Sequence, residues 1–305
     1  MDSLKSILAA TDFSACADSA VEHAFRLARG HDSEVIVLHV VQPLLYNRDW
    51  LGAEAAALVP TTGQLMDQAR ERMRSAFAPR AASCRVRYEV VAGHALGTIL
   101  DWSERARPDL LVLGTHSTLD AHRHMGYVAS GAVRKAAPPV LAVHPSGAGP
   151  FRSVLVPTDF SDTSALALRC ALRIATLDNS QVEILHTYPE PWKGSQPPEW
   201  IRETVPDLSE RYARRVREHT EAWAGPIISE NPGVTASITV TQHPKPGAAI
   251  VEHARLRGVD LIAMGVSGAT NLRAMLLGST AERVLREVPC SVLAVKPESW
   301  HGHPR

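Results

Sequence analysis

The chain of 305 residues contains the same series of segments twice, and this internal repeat limits the fold more than any other feature. Residues 7–14 (ILAATDFS) are matched by residues 154–161 (VLVPTDFS). Residues 35–39 (VIVLH) are matched at the same offset by residues 182–186 (VEILH). Self-similarity on this scale indicates two homologous domains rather than one large domain.

The later parts of the two repeats also match, in residues 108–114 and 259–265 and in the two Val-Leu-Ala-Val runs that begin at Val140 and Val292. We expect domain 1 to span residues 1–147 and domain 2 to span residues 148–305, because a turn-forming and flexible segment lies between the repeats. The length of 305 residues suits two domains that each bury their own core.

Each repeat alternates short β-branched runs with amphipathic stretches, which is typical of βαβ units and of a parallel sheet covered by helices on both faces. In the second repeat we expect strands near residues 152–157, 181–186, 235–241, 259–264 and 291–295. We expect helices near residues 162–176, 199–222 (broken by Pro206), 247–257 and 279–287. Ser161 or Asp162 can cap the first of these helices. Its helical spacing predicts that Leu166, Cys170, Ile174 and Leu177 face the sheet.

The second repeat contains the pattern G-x2-G-x9-G-S, formed by Gly265, Gly268, Gly278 and Ser279 directly after the apolar run 261–264. This pattern predicts a phosphate-binding turn. The first two glycines permit positive φ angles and bring N–H groups close to a ligand. The third glycine and the serine open a helix, whose N-terminus attracts anions. A polyphosphate fits this description better than other common metabolites.

Asp159 follows the first strand of the second repeat, and Gly265 follows the fourth. Ligands of open parallel sheets bind beyond the carboxyl ends of strands, where the strand order reverses. If these two strands are neighbours, the Asp159 carboxylate can bind ribose hydroxyls while the glycine turn holds phosphates. In the alternative interpretation, Asp159 only caps the following helix.

Charge and composition argue against several classes of partner. The formal net charge is zero, and no Lys/Arg cluster is interleaved with aromatic residues, so we expect no nucleic-acid partner. The sequence has no apolar stretch long enough to span a membrane and no secretory leader, which predicts a cytoplasmic protein without a membrane partner. The cysteines have no C-x-x-C spacing, which favours reduced thiols without a disulfide or metal role; they are Cys16, Cys84, Cys170 and Cys290.

Several histidines have the chemistry of a metal ligand or a proton shuttle, but we assign them neither role. The His-Arg-His run 122–124, with Asp120 nearby, has the ligand types of a transition-metal site, but we favour a solvated basic loop. The Trp-His-Gly-His run 300–303 is interpreted as a tail. His39 and His186 end matching strands, where a structural role is favoured over a proton shuttle. We therefore assign no metal site and no catalytic residue.

The opening run 156–161 (VPTDFS), the Leu-His ending at 185–186, the glycine turn and the closing run 289–295 (PCSVLAV) resemble the universal stress protein family, here as a tandem pair. The resemblance covers nearly the whole chain. It implies two tandem α/β domains, each an open, Rossmann-like, five-stranded parallel sheet with helices on both faces. It also implies binding of ATP or AMP without a Walker-A lysine, dimerisation through the last strand, and regulatory or stress-response roles. A magnesium ion on the nucleotide is left open.

Carried over by position, the resemblance places the adenosine end of the nucleotide at Pro157, Thr158 and Asp159. Thr187 would contact adenine through its backbone. The phosphates would be surrounded by Gly265, Gly268, Gly278, Ser279 and Thr280. Met264 is also assigned to the nucleotide site, and so is Arg273, a charged side chain within the turn that could neutralise phosphate.

Domain 1 departs from this pattern. Gly114 is kept, but Ser117 replaces the second glycine, Tyr127 falls at the third glycine and Val128 falls at the serine; Gly126 is displaced by one position. A tyrosine side chain should obstruct the approach of phosphate to the backbone. We therefore expect domain 1 to be degenerate, without a nucleotide site.

Three classes of function remain on sequence grounds. The first is a regulatory protein that binds one adenine nucleotide in domain 2. The second is a slow ATPase or nucleotidyl-transfer enzyme that uses the same site, although the sequence has no G-x4-G-K-[ST] loop and no base beside the turn. The third is an interaction protein without a ligand. The Val-Leu-Ala-Val runs, 140–143 and 292–295, are predicted to be edge strands that pair in an internal pseudo-dimer, and a homodimer is left open.

Overall fold

The computed structural model describes residues 4–43, 59–81, 83–116, 125–145, 149–189, 207–266, 277–287 and 289–297. Nearly all described residues before 146 form one compact unit, and those from 149 onwards form another. The boundary expected between residues 147 and 148 falls at the edge of a gap in the described ranges, so its position stays a prediction.

Domain 1 is an α/β unit with a parallel sheet. Its elements are β1 (Ser6–Thr11), α1 (Ala15–His31), β2 (Glu34–Val41), α2 (Thr62–Phe77), β3 (Arg85–Ala92), α3 (Ala95–Ala106), β4 (Leu110–Gly114), α4 (Tyr127–Lys135) and β5 (Val140–Val143). The strand order is β3-β2-β1-β4-β5, and each neighbouring pair is parallel. The order reverses between β1 and β4.

Domain 2 repeats this arrangement. Its elements are β6 (Ser153–Thr158), α5 (Asp162–Asp178), β7 (Gln181–Tyr188), α6 (Leu208–Ser229), β8 (Thr235–Gln242), α7 (Pro246–Arg257), β9 (Leu261–Gly265), α8 (Ser279–Glu287) and β10 (Ser291–Val295). The order is β10-β9-β6-β7-β8, again parallel throughout. The predicted fold is confirmed. The first and fourth strands of this repeat are neighbours, which meets the condition for a crevice between Asp159 and Gly265.

The central strands are buried along nearly their whole length, as in a sheet covered on both faces. In β9 and β10, every residue except Gly265 is buried, and in β6 only Ser153 is partly exposed. Continuous burial of this kind requires helices above and below the sheet. It also explains why these strands have apolar sequences instead of an alternating pattern.

Two helices differ from their predictions. The helix expected at 199–222 is observed from Leu208 to Ser229, with Pro226 inside it, and its last turns bury Ala224 and Ile227. Residues 199–206 lie outside the described residues. In α5, Cys170 and Ile174 are buried as expected, and Ser161 caps the helix.

The expected apolar stripe of α5 was partly wrong. Leu177 is 37% exposed and Leu166 is only half-buried. Three alanines at helical spacing, Ala167, Ala171 and Ala175, are buried in their place. Small side chains let the helix axis approach the sheet closely, and bulky leucines at its margins then reach beyond the interface.

Candidate functional site

A crevice lies at the carboxyl edge of the domain 2 sheet, where the strand order reverses. Its volume is about 410 Å³. The ends of β6, β7 and β9 and the first turns of α7 and α8 surround it. It is lined by nine of the residues proposed from the sequence: Pro157, Thr158, Asp159, Thr187, Met264, Gly265, Gly278, Ser279 and Thr280. The two others, Gly268 and Arg273, lie outside the described residues.

Sequence reasoning missed part of the lining. Ser164 in the first turn of α5 faces the crevice, and so do Pro246 and Ile250 of α7 and the ring of His186. A signal was available for Ser164, because it lies three residues after the capping Ser161 in the first helical turn. The contribution of α7 depends on how that helix packs against α8, which no local pattern records.

Asp159 lies in a tight turn directly after β6, which supports both interpretations of this residue. Its Oδ1 accepts hydrogen bonds from the Ser161 N–H (3.1 Å) and the Ser161 hydroxyl (2.6 Å). The next residue, Phe160, has a φ of 65°, and its N–H donates to Thr158 Oγ1 (3.0 Å). Positive φ at a bulky residue is costly and concentrates at functional sites. The carboxylate thus supports the helix start and also lines the crevice.

His186 is fixed at the wall of the crevice. Its Nδ1 lies 2.8 Å from the carbonyl oxygen of Thr158, and its ring stacks on Phe160 with centroids 4.3 Å apart. Burial lowers the pKa of His186 below its usual value of 6.5, although the bond to the Thr158 carbonyl opposes this shift. The ring is therefore neutral near pH 7. This agrees with the structural role expected for the histidine, which also lines the crevice.

Gly265 differs from its prediction. Its φ is not among the positive angles of the described chain. A Cβ atom at Gly265 would lie 2.9 Å from Cγ2 of Thr163 in α5. Gly114 has the same constraint in domain 1, where a Cβ atom would lie 2.9 Å from Sγ of Cys16 in α1. Close packing of a helix against the strand end therefore requires this glycine in both repeats.

The helix start at Gly278 provides the donors for an anion. The Gly278 N–H is already bonded to the carbonyl oxygen of Val266 (2.9 Å), so it shapes the turn and is not offered to a ligand. The first bond within α8 runs from the Glu282 N–H to the Gly278 carbonyl oxygen (2.9 Å). The N–H groups of residues 279–281 are left at the helix N-terminus, next to the hydroxyls of Ser279 and Thr280.

The corresponding turn of domain 1 corrects the expected alignment by one residue. The Gly126 N–H is bonded to the carbonyl oxygen of Thr115 (2.8 Å), as the Gly278 N–H is bonded to Val266. Gly126 therefore takes the position of the third glycine, and Tyr127 takes that of the serine. Tyr127 is 78% exposed, so its ring does not fill the crevice. The two sites differ in their hydroxyl groups more than in their glycines.

Within the described ranges, no group of three or more His, Cys, Asp and Glu side chains is placed to bind a metal ion. The histidine runs 122–124 and 300–303 lie outside those ranges. None of the helices in the described part of the chain is long and apolar enough to cross a membrane.

The chain matches known proteins along both repeats. The model of the universal stress protein family matches residues 3–144 and 150–296. A universal stress protein of Methanocaldococcus jannaschii is 32% identical over 158 residues, covering 50% of this chain and 85% of the relative. A universal stress protein of Mycolicibacterium smegmatis is 25% identical over 299 residues, covering 95% of this chain and 97% of the relative.

Solved structures show the same tandem fold. A functionally unknown protein of Pseudomonas aeruginosa superposes with a TM-score of 0.66 at 19% identity, covering 98% of this chain and 94% of the other. A universal stress protein of Archaeoglobus fulgidus gives a TM-score of 0.60 at 20% identity, covering 95% and 98% of the two chains. At these identities the likeness concerns the fold alone.

Proposed function

This chain belongs to the universal stress protein family, and we propose that it is a stress-response regulatory protein that binds ATP or AMP in the crevice of domain 2. One observation carries the proposal. A carboxylate at the end of β6 and an open helix N-terminus with two hydroxyls lie on the same crevice of about 410 Å³. These are the groups that ribose and phosphate need, at the place where open parallel sheets bind ligands.

Each part of the nucleotide has a proposed partner. Asp159 accepts hydrogen bonds from ribose hydroxyls, and the backbone of Thr187 contacts the adenine. Phosphate oxygens accept hydrogen bonds from the first N–H groups of α8 and from the hydroxyls of Ser279 and Thr280. A magnesium ion would bind mainly through phosphate oxygens. Asp159 is the one carboxylate among the described lining residues.

Regulation fits this crevice better than catalysis. Among its described lining residues, the acid–base groups are Asp159 and His186. Both are engaged, the first by Ser161 and the second by the Thr158 carbonyl. Both also belong to the proposed nucleoside end, at the ends of β6 and β7, and not to the phosphate end at the start of α8. Slow ATP turnover is the competing function, and incubating the purified protein with ATP and magnesium measures it directly. A cytoplasmic location suits a protein that responds to the adenine nucleotide pool.

Paired substitutions test the proposal. Asp159→Ala should weaken AMP binding by roughly 1–3 kcal/mol, the cost of losing a hydrogen bond to a charged group. Asp12 is the matched control, since it occupies the equivalent turn of domain 1 and accepts the Ser14 N–H at 3.0 Å. Asp12→Ala should leave the AMP affinity unchanged. Equal losses in both variants, measured by calorimetric titration, would contradict the assignment to domain 2.

A further inference from the structure

Domain 1 has an open crevice at the position equivalent to the domain 2 site. Its volume is about 290 Å³, against about 410 Å³ in domain 2. It lies beyond the carboxyl ends of β1 and β4, where the strand order of this domain reverses. The Tyr127 side chain, which was expected to block it, is 78% exposed to solvent. The crevice therefore has room for a ligand.

One end of this crevice repeats the domain 2 geometry closely. Asp12 Oδ1 accepts the Ser14 N–H, and Phe13 has a φ of 62° with its N–H donated to Thr11 Oγ1 (3.0 Å). His39 Nδ1 lies 2.8 Å from the Thr11 carbonyl oxygen, and its ring lies 4.5 Å from that of Phe13. Domain 2 holds the ribose and adenine at this end in our proposal. The same strained turn and the same carboxylate are kept in domain 1.

The other end has lost three of the hydroxyl groups that line the domain 2 crevice, and it gains the Thr115 hydroxyl, which lies 2.8 Å from Nδ1 of His116. Ser164 of domain 2 is replaced by Ala17. At the helix start, Tyr127 and Val128 stand where domain 2 has Ser279 and Thr280. Among the described lining residues, no lysine or arginine compensates for these missing hydroxyls. Apolar side chains such as Val128 offer no donor to a phosphate oxygen, and desolvating an unpaired phosphate is costly.

We propose that the domain 1 crevice is a second ligand site, which takes a nucleoside that carries no phosphate group. The proposal rests on the nucleotide site of domain 2, because it transfers the ribose and adenine positions from that site. Domain 1 keeps the groups for the nucleoside half; at the phosphate half it keeps the helix N-terminus but loses the side-chain hydroxyls. A chain of this kind binds a nucleotide in one domain and the corresponding nucleoside in the other.

Calorimetric titration with adenosine and with AMP tests the proposal. Asp159→Ala provides a full-length protein with a weakened domain 2 site. We expect this protein to bind adenosine with close to one site per chain and to bind AMP at least tenfold more weakly than adenosine. Adding Asp12→Ala should reduce the adenosine affinity by roughly tenfold, as expected for a lost hydrogen bond to a carboxylate. Circular dichroism of each variant verifies folding.

A gain of binding provides the independent test. Tyr127→Ser with Val128→Thr restores the domain 2 residues at the start of α4. In the Asp159→Ala background, this protein should bind AMP at least tenfold more tightly than its parent.

The outcomes separate the two proposals. Wild-type protein that binds AMP at one site, with no adenosine binding by Asp159→Ala, overturns the nucleoside site and leaves the nucleotide site intact. Adenosine binding by Asp159→Ala, with no AMP binding by the wild type, overturns the nucleotide site instead. AMP binding to Asp159→Ala as tight as adenosine binding would refute the exclusion of phosphate.

Discussion

Gly247 should be a positioning residue for the phosphate end of the domain 2 crevice. It lies in the first turn of α7, where it packs against the first turns of α8. A Cβ atom at Gly247 would lie 3.0 Å from Cβ of Arg283 and 3.1 Å from the carbonyl oxygen of Thr280. Neither of these atoms belongs to the flexible end of a side chain. An added methyl group therefore requires the two helices to move apart by a few tenths of an ångström, and Thr280 lines the crevice.

The change in the free energy of unfolding that Gly247→Ala should cause follows from two opposing effects. Replacing glycine by alanine in a helix gains up to about 1 kcal/mol of helix propensity. Overpacking a closed contact costs roughly 1–3 kcal/mol. Gly97 is the matched control, because it lies in the first turn of α3 with no atom within 4 Å of an added Cβ. Gly97→Ala keeps the propensity gain without the clash, so the difference between the two variants isolates the overpacking cost.

Thermal unfolding and AMP titration measure the two consequences. Gly247→Ala should be less stable than Gly97→Ala by roughly 1–3 kcal/mol, or about 2–4 °C in Tm for each kcal/mol. Its AMP affinity should fall roughly two- to tenfold if one hydrogen bond at the helix start is strained. Gly97→Ala should bind AMP normally. Gly247→Ala that is as stable and as active in binding as Gly97→Ala would refute the reasoning.

A second substitution should rescue a larger side chain at position 247. In domain 1 the two equivalent helices, α3 and α4, also pack together, but there the glycine of the contact lies in α4. There, Leu96 of α3 takes the position of Gly247, and it packs onto Gly131 of α4, which takes the position of Arg283. Gly247→Leu alone should be more damaging than Gly247→Ala. Adding Arg283→Gly should recover much of the loss, since the ion pair between Arg283 and Glu287 (2.9 Å) is partly exposed and contributes little.

Two further predictions concern stability and assembly. Burial lowers the pKa of Lys296 to about 7, and its Nζ has no hydrogen-bond partner in the part of the chain that the structure describes. Between pH 7 and the ordinary lysine pKa of 10.5, the unfolded chain binds one more proton than the folded chain, so the free energy of unfolding should rise with pH. Lys296→Met should raise Tm at pH 7 and should flatten this rise. An unchanged dependence of stability on pH in the variant would contradict this account. The pairing of residues 140–143 with residues 292–295 stays a prediction from the sequence. After cleavage at a protease site inserted at 146–148, the two halves should elute together in size-exclusion chromatography. Two separate monomeric halves would contradict the pairing.

Much of the fold and the place of the site follow from the sequence alone. The repeat and the apolar strands predict two parallel sheets. Asp159 and Gly265 predict the crevice, because each follows a strand and the carboxyl ends of parallel strands lie at the same edge of the sheet. The role of Gly265 was misjudged, since its contact with Thr163 depends on how closely a helix approaches the sheet. The position of Tyr127 was misjudged by one residue, because spacing between glycines does not show where a loop is shortened. Hydrogen bonds at the helix start settle that alignment.

The stoichiometry of AMP binding to nucleotide-free protein tests the central claim most directly. Calorimetric titration of the full chain should give one AMP site. Exchanging the residues at the start of α8 for those of domain 1, as Ser279→Tyr with Thr280→Val, should abolish AMP binding while the protein stays folded. Two AMP sites of similar affinity in the wild type, or normal AMP binding by the exchanged protein, would contradict the assignment of the nucleotide to domain 2.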